Sequence, residues 1–157
     1  MILVSACLAG EPVRYDGKSC LTPLLATLIA QGKVKTVCPE LLGGFSTPRL
    51  AAEIQYGTGA DVLNGDAKVV DSSGQDVTAM YLDGAKKTLH YVQKLRPQCI
   101  VLKENSPSCG SAFIYDGHFQ QKKRHGFGVT TTLLQQHGFQ VISEHELPTW
   151  LDQHPLD

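Results

Sequence analysis

The chain has 157 residues, 42% hydrophobic and 18% charged, with a formal net charge of −1; this is enough for one domain, residues 1–157, around a single sizeable core, and too apolar for disorder. A near-neutral chain whose one basic run is Lys122-Lys123-Arg124 argues against nucleic acid or an anionic membrane as partner. No segment approaches the roughly 20 apolar residues of a membrane span, and the N-terminus lacks the basic start and long apolar stretch of a signal peptide, so a cytoplasmic protein is expected.

Residues 2–6 are apolar and β-prone and predict a first buried strand, followed by a loop from Cys7 through Asp16-Gly17. Leu24, Leu25, Leu28 and Ile29 recur at helical spacing within 21–31, and Gly32 supplies a stop. Lys33 to Val37 predicts a second strand, ending at Cys38-Pro39-Glu40. Residues 41–65, rich in Gly, Pro and Thr, show no period and predict a long ordered loop with room for a helical turn, a feature that is usually functional. Residues 67–71 and 76–78 flank Ser72-Ser73-Gly74 as a small β-hairpin. An amphipathic helix follows from Thr78 to Leu95, with Tyr81, Leu82, Ala85, Leu89 and Val92 on its core side.

Cys99 to Leu102 predicts a third buried strand, which delivers the dense polar loop Lys103 to Ser111. Residues 112–119 suggest a hairpin turning at Asp116-Gly117. Val129 to Gln136 is helical, 139–143 is the last strand, and a short helix covers about 145–153. This alternation predicts an α/β fold: a single, doubly wound, mostly parallel sheet with helices on both faces and a small β-hairpin insertion. Ligands of such sheets bind outside the carboxyl ends of the strands.

Five cysteines in a cytoplasmic chain do not read as a disulfide framework. Cys7, Cys38 and Cys109 each follow a predicted strand, so a parallel sheet would bring all three to one edge. Cys20, placed at the start of a helix, and Cys99, at the opposite end of a strand, stand apart. A single cysteine is more often a small buried hydrophobe than a ligand. A convergent trio without a fourth member also suits a metal centre with one open position; soft thiolates select zinc, copper(I) or iron–sulfur clusters. A structural zinc site would want four ligands and close Cys pairs, which are absent, whereas three thiolates on a cubane cluster leave one iron for substrate. None of the six histidines stands in ligand-pair spacing.

Val4-Ser5-Ala6-Cys7-Leu8, Arg14-Tyr15-Asp16-Gly17, Cys38-Pro39-Glu40, Gly43-Gly44, Thr47-Pro48-Arg49, Glu53-Ile54, the block from Lys103 to Gly110, and Gly126-Phe127-Gly128-Val129-Thr130 follow in this order. From residue 2 to about 144 the chain thereby resembles the thiouracil desulfidases of the TudS type, a family formerly labelled a domain of unknown function. The resemblance implies a [4Fe-4S] cluster held by Cys7, Cys38 and Cys109 with one open iron site, and a catalytic carboxylate and hydroxyl at Glu40 and Ser106. The substrate it implies is a small thiolated base or nucleoside. Members often carry a further cysteine where this chain has Val13, which excludes an extra ligand from that loop.

On this reading thiouracil loses its sulfur without redox change. Glu40 acts as general base on water, Ser106 relays a proton or holds the ring, Asn105 bonds the substrate edge, and Ser108 contacts the substrate or caps the cluster sulfurs. The ordinary alternatives are a surface charge for Glu40, a loop cap for Ser106, a turn residue for Asn105 and a structural ion pair for Arg49. Two rival functions stand beside the desulfidase: a cluster- or metal-carrying sulfur-relay protein without hydrolytic turnover, and a thiol enzyme with Cys109 as nucleophile.

Overall fold

In the computed structural model, which describes residues 1–17 and 20–156, the chain runs through β1 (Ile2–Ser5), a 3-10 turn (Ala6–Ala9), α1 (Pro23–Ala30), β2 (Val34–Val37) and α2 (Pro39–Leu42). It continues with β3 (Ala52–Gln55), α3 (Gly59–Leu63), β4 (Lys68–Asp71), α4 (Thr78–Leu95) and β5 (Ile100–Leu102). The last part holds β6 (Phe113–Tyr115), β7 (Lys123–His125), α5 (Val129–Gln136), β8 (Val141–Ser143) and α6 (Leu147–Gln153).

Four strands form the central sheet in the order β2-β1-β5-β8, all parallel, with Leu3 opposite Lys35 on one side and Ile100 on the other. The two-residue period of the strands decides which helices cover which face. Ile2, Val4, Val101 and Ile142 pack with Leu25 and Leu28 of α1 and Leu147 and Trp150 of α6. Leu3, Ile100, Leu102 and Val141 turn the other way, onto Val92 of α4 and Leu134 of α5. The expected doubly wound sheet with helices on both faces is therefore what the chain forms. Among the described residues no helix is long and apolar enough to cross a membrane.

The connections set the site. From β1 the chain moves outward through α1 to β2, then crosses back over β1 through α4 to β5. The winding direction thus reverses between β1 and β5. Where it reverses, the loops at the carboxyl ends diverge and leave a crevice.

The structure corrects three expectations. Residues 41–65 are not one long loop, because they contain the strand β3; the helical turn allowed for there is α3. The strand escapes a hydrophobic reading because Ala52-Glu53-Ile54-Gln55 is short and places a carboxylate at a buried position. The partner of β4 is β3, paired antiparallel from Ala52–Asp71 to Gln55–Lys68, and the expected return strand at 76–78 shrinks to a Val70–Asp76 bridge. Third, residues 112–119 do not close on Asp116-Gly117. β6 pairs with β7, Phe113 opposite His125 and Tyr115 opposite Lys123, across the loop 116–122. The β3–β4 ribbon packs through Ile54 and Val69 on Tyr81 and Ala85 of α4, Val129 of α5 and Ile114 of β6.

Candidate active site

Cys7 sits in the 3-10 turn directly after β1, Cys38 is the residue before α2, and Cys109 lies in the loop after β5. All three are free thiols and line one cavity of about 550 Å³ at the carboxyl edge of the sheet. Cys7 and Cys109 flank the reversal of winding, and Cys38 joins them from the outer strand β2. Burial pushes the Cys7 thiol up to about 12, with the neighbouring Cys20 and Cys38 adding to it. Burial likewise raises Cys38 and Cys109, the latter helped by the Glu40 charge.

The donor set fits an iron–sulfur cluster. Three soft thiols share one cavity, and soft thiolates are what such clusters take. Among the described residues no three His, Cys, Asp or Glu side chains are grouped to hold a single metal ion. A cubane cluster does not require such a grouping, because each thiolate binds a different iron.

The Cys109 loop is built by hydrogen bonds. Glu104, 7% exposed, accepts at Oε1 from the amides of Asn105, Ser111, Ala112 and Phe113 at 2.8–3.3 Å. Its Oε2 accepts from the Ser111 hydroxyl at 3.3 Å. The first turn of α5 holds the loop from the other side: Val129 donates to the Pro107 carbonyl, Thr130 and Thr131 donate to that of Ser108, and Thr131 Oγ1 donates to that of Cys109. Gly128 allows this approach, since a Cβ there would strike the Ser108 carbonyl and the Cys109 nitrogen. The Gly126-Phe127-Gly128-Val129-Thr130 motif thus supports the Cys109 loop.

Glu40, in the first turn of α2, is held by two partners at a single oxygen. Arg49 Nε donates to Oε2 at 2.9 Å and the Tyr81 hydroxyl donates to the same atom at 3.2 Å. Oε1 has no hydrogen bond among the described residues. Arg49 is fixed in turn by the Val13 and Ser46 carbonyls and the Thr47 hydroxyl. The pair is largely shielded, with side chains 6% and 13% exposed for Arg49 and Glu40.

Most of the predicted site residues meet here. Cys7, Cys38, Cys109, Glu40, Ser106 and Asn105 all line the cavity. Ser106 Oγ accepts the Cys109 amide at 2.8 Å, so it caps the loop. Asn105 adopts a left-handed φ of 77°, and its carboxamide makes no hydrogen bond among the described residues. Ser108 departs from expectation as a substrate contact: it is 1% exposed, does not line the cavity, and shares a 2.7 Å hydrogen bond with Thr130 Oγ1. The tight docking of its backbone on α5 turns its side chain inward, where its hydroxyl opposes the rise of the Cys109 thiol.

Tyr81 and Cys20 are among the residues that the sequence places elsewhere. Tyr81 reads as core from its helical stripe, and its ring does pack there, yet its hydroxyl reaches Glu40 and lines the cavity. Cys20 lies before α1 rather than in it; its amide donates to the Cys7 carbonyl at 2.7 Å, and its sulfur accepts from Arg14 at 3.5 Å. A signal for Tyr81 was available: a tyrosine on an otherwise aliphatic buried stripe needs a partner for its hydroxyl.

Residues 2–146 match the protein family described as 2-thiouracil desulfurase. A solved structure of the [4Fe-4S]-dependent thiouracil desulfidase TudS matches with a TM-score of 0.85 and 43% sequence identity, covering 99% of this chain and 98% of that one. The Bacillus subtilis (strain 168) protein named "Uncharacterized protein YbbK" is 56% identical over 147 residues, 94% of this chain and 97% of its own length. The family match runs through all four parallel strands and all three cysteine loops, and the chain belongs to the 2-thiouracil desulfurase family.

Proposed function

We propose that this single-domain protein, residues 1–157, is a cytoplasmic iron–sulfur enzyme that converts a small thiolated pyrimidine, thiouracil as base or nucleoside, to its oxo form and sulfide. The observation that carries the reading is the meeting of three free thiols with an anchored carboxylate in one cavity. Cys7, Cys38 and Cys109 would hold the [4Fe-4S] cluster. What the cluster supplies when bound is soft Lewis acidity at an iron without a cysteine ligand, suited to an exocyclic sulfur.

The balance is hydrolytic: thiouracil and water give uracil and hydrogen sulfide, a C–O bond forms, a C–S bond breaks, and no electrons are exchanged. Glu40 accepts the proton of the attacking water through Oε1, while Arg49 and Tyr81 keep Oε2 in place. Ser106 Oγ accepts the Cys109 amide and its hydroxyl also bonds the Cys109 thiol, which sets it at the cavity wall to relay a proton or hold the ring. The Asn105 carboxamide offers a donor and an acceptor to the edge of a pyrimidine. A sulfur relay would have no use for a base pinned at one oxygen and open at the other, which favours the hydrolytic reading.

Anaerobic purification tests the assignment. The parent protein is expected to carry about four irons per chain, the content of one cubane cluster. Replacing Cys7, Cys38 or Cys109 by alanine should abolish that content, while Cys99→Ala, a change in the buried core at the far end of β5, should preserve it. A colourless, iron-free but active parent would instead leave the thiol enzyme acting through Cys109.

A further inference from the structure

The Glu53-Ile54 motif has no part in the chemistry derived above, yet Glu53 lines the same cavity. It is 8% exposed on β3 and forms no ion pair with any described residue. Its Oε1 accepts two backbone amides from the loop 116–122, Gly117 at 3.0 Å and Phe119 at 3.2 Å. A second tie runs beside it, from Gln55 Nε2 to the Gly117 carbonyl at 3.3 Å. Gly117 itself lies flush against β3: its φ is +94°, and a Cβ there would stand 2.6 Å from the Ile54 carbonyl oxygen.

Beyond this clasp the loop takes two turns that side-chain-bearing residues resist. Phe119 has a φ of 56° and Gln121 a φ of 58°. Left-handed backbone at bulky residues costs energy and persists only where the surroundings impose it. Phe119 and Gln121 are the loop residues that line the cavity. The clasp therefore holds the loop in the conformation that makes Phe119 a wall of the pocket.

We propose that Glu53 is a positioning residue for substrate. Through the Gly117 and Phe119 amides it fixes loop 116–122 as a preformed wall, so that the Phe119 ring meets one face of the bound pyrimidine. This inference rests on the desulfidase reading for the identity of the ring, but not for the clasp itself. It accounts for a buried carboxylate with no ion pair among the described residues: the groups it satisfies are backbone N–H donors, and a neutral acceptor of the same shape would serve them nearly as well.

That last point separates positioning from acid–base or charge roles. In the anaerobically purified holoenzyme, Glu53→Ala is expected to leave iron content and kcat near the parent. It should raise the KM for 4-thiouracil about tenfold, and amide exchange at Gly117 and Phe119 should accelerate by at least about tenfold, as expected when donors lose their acceptor. Glu53→Gln keeps an acceptor oxygen and should stay within about threefold of the parent in both readouts. Phe119→Ala should raise KM by itself, and the Glu53→Ala/Phe119→Ala double variant should be no worse than Phe119→Ala alone, because both changes remove the same wall.

The proposal is overturned if Glu53→Gln is as impaired as Glu53→Ala with unchanged exchange, which would assign a role to the charge. It is equally overturned if Glu53→Ala loosens the loop without changing KM, since the clasp would then be merely structural. Should the parent release no sulfide from 4-thiouracil, the desulfidase reading falls. The exchange measurement then decides the clasp alone, and unchanged exchange in Glu53→Ala refutes it.

Discussion

Glu40→Gln is expected to retain the parent iron content and to lose about 10²- to 10⁴-fold in turnover, the range contributed by a positioned general base. Glutamine keeps a carbonyl oxygen where Oε2 receives Arg49 at 2.9 Å and Tyr81 at 3.2 Å, so α2 and the Cys38 beside it stay in place. What disappears is the proton acceptor at Oε1. Glutamine is preferable to alanine because alanine would strand the shielded Arg49 guanidinium without its partner, and a buried charge left alone is costly enough to confuse a catalytic loss with a folding one. Sulfide release and iron per chain, measured on the same preparation, check the result. Parental turnover would remove Glu40 from the chemistry and return it to a structural ion pair.

Glu104→Ala should have the largest structural effect of any single change in the site. Four backbone amides and the Ser111 hydroxyl depend on that one carboxylate. Each buried donor left without an acceptor costs about 1–3 kcal/mol. These costs do not add fully, because the loop can relax and admit water. A loss of at least about 3 kcal/mol in unfolding free energy is still expected, a large part of the stability of a domain this size. The same loop carries Cys109, so iron per chain should fall together with stability. Glu104→Gln retains an acceptor and should fall between the parent and Glu104→Ala. Anaerobic denaturant unfolding with iron determination measures both effects; parental stability and iron in Glu104→Ala would show that the loop is held by its contacts with α5 alone.

The regular layers of the fold were legible because their patterns are local. α4 spans Thr78–Leu95 and α5 spans Val129–Gln136, the bounds that the amphipathic stripe and the closing Gly138 indicate. The parallel strands announce themselves as apolar runs that enter polar loops, and that placement alone groups Cys7, Cys38 and Cys109. Where the sequence misled, a distant partner had replaced a local rule. Asp116-Gly117 is a good two-residue turn in isolation, but Glu53, far away in sequence, takes the Gly117 and Phe119 amides and lengthens the connection. β3 was obscured by that same buried glutamate. Ser108 reads as a site residue beside Cys109, yet Gly128 and the first turn of α5 draw its backbone inward. Tyr81 is both core and site, and periodicity reports only the first.

The most direct test of hydrolytic desulfuration is the fate of sulfur and oxygen when the anaerobic holoenzyme consumes 4-thiouracil in ¹⁸O-labelled water with no electron donor present. The expected result is repeated turnover, with one sulfide released for each uracil formed and one labelled oxygen in that uracil. Sulfur retained on the protein after a single turnover, or consumption that begins only when a reductant is added, would contradict it.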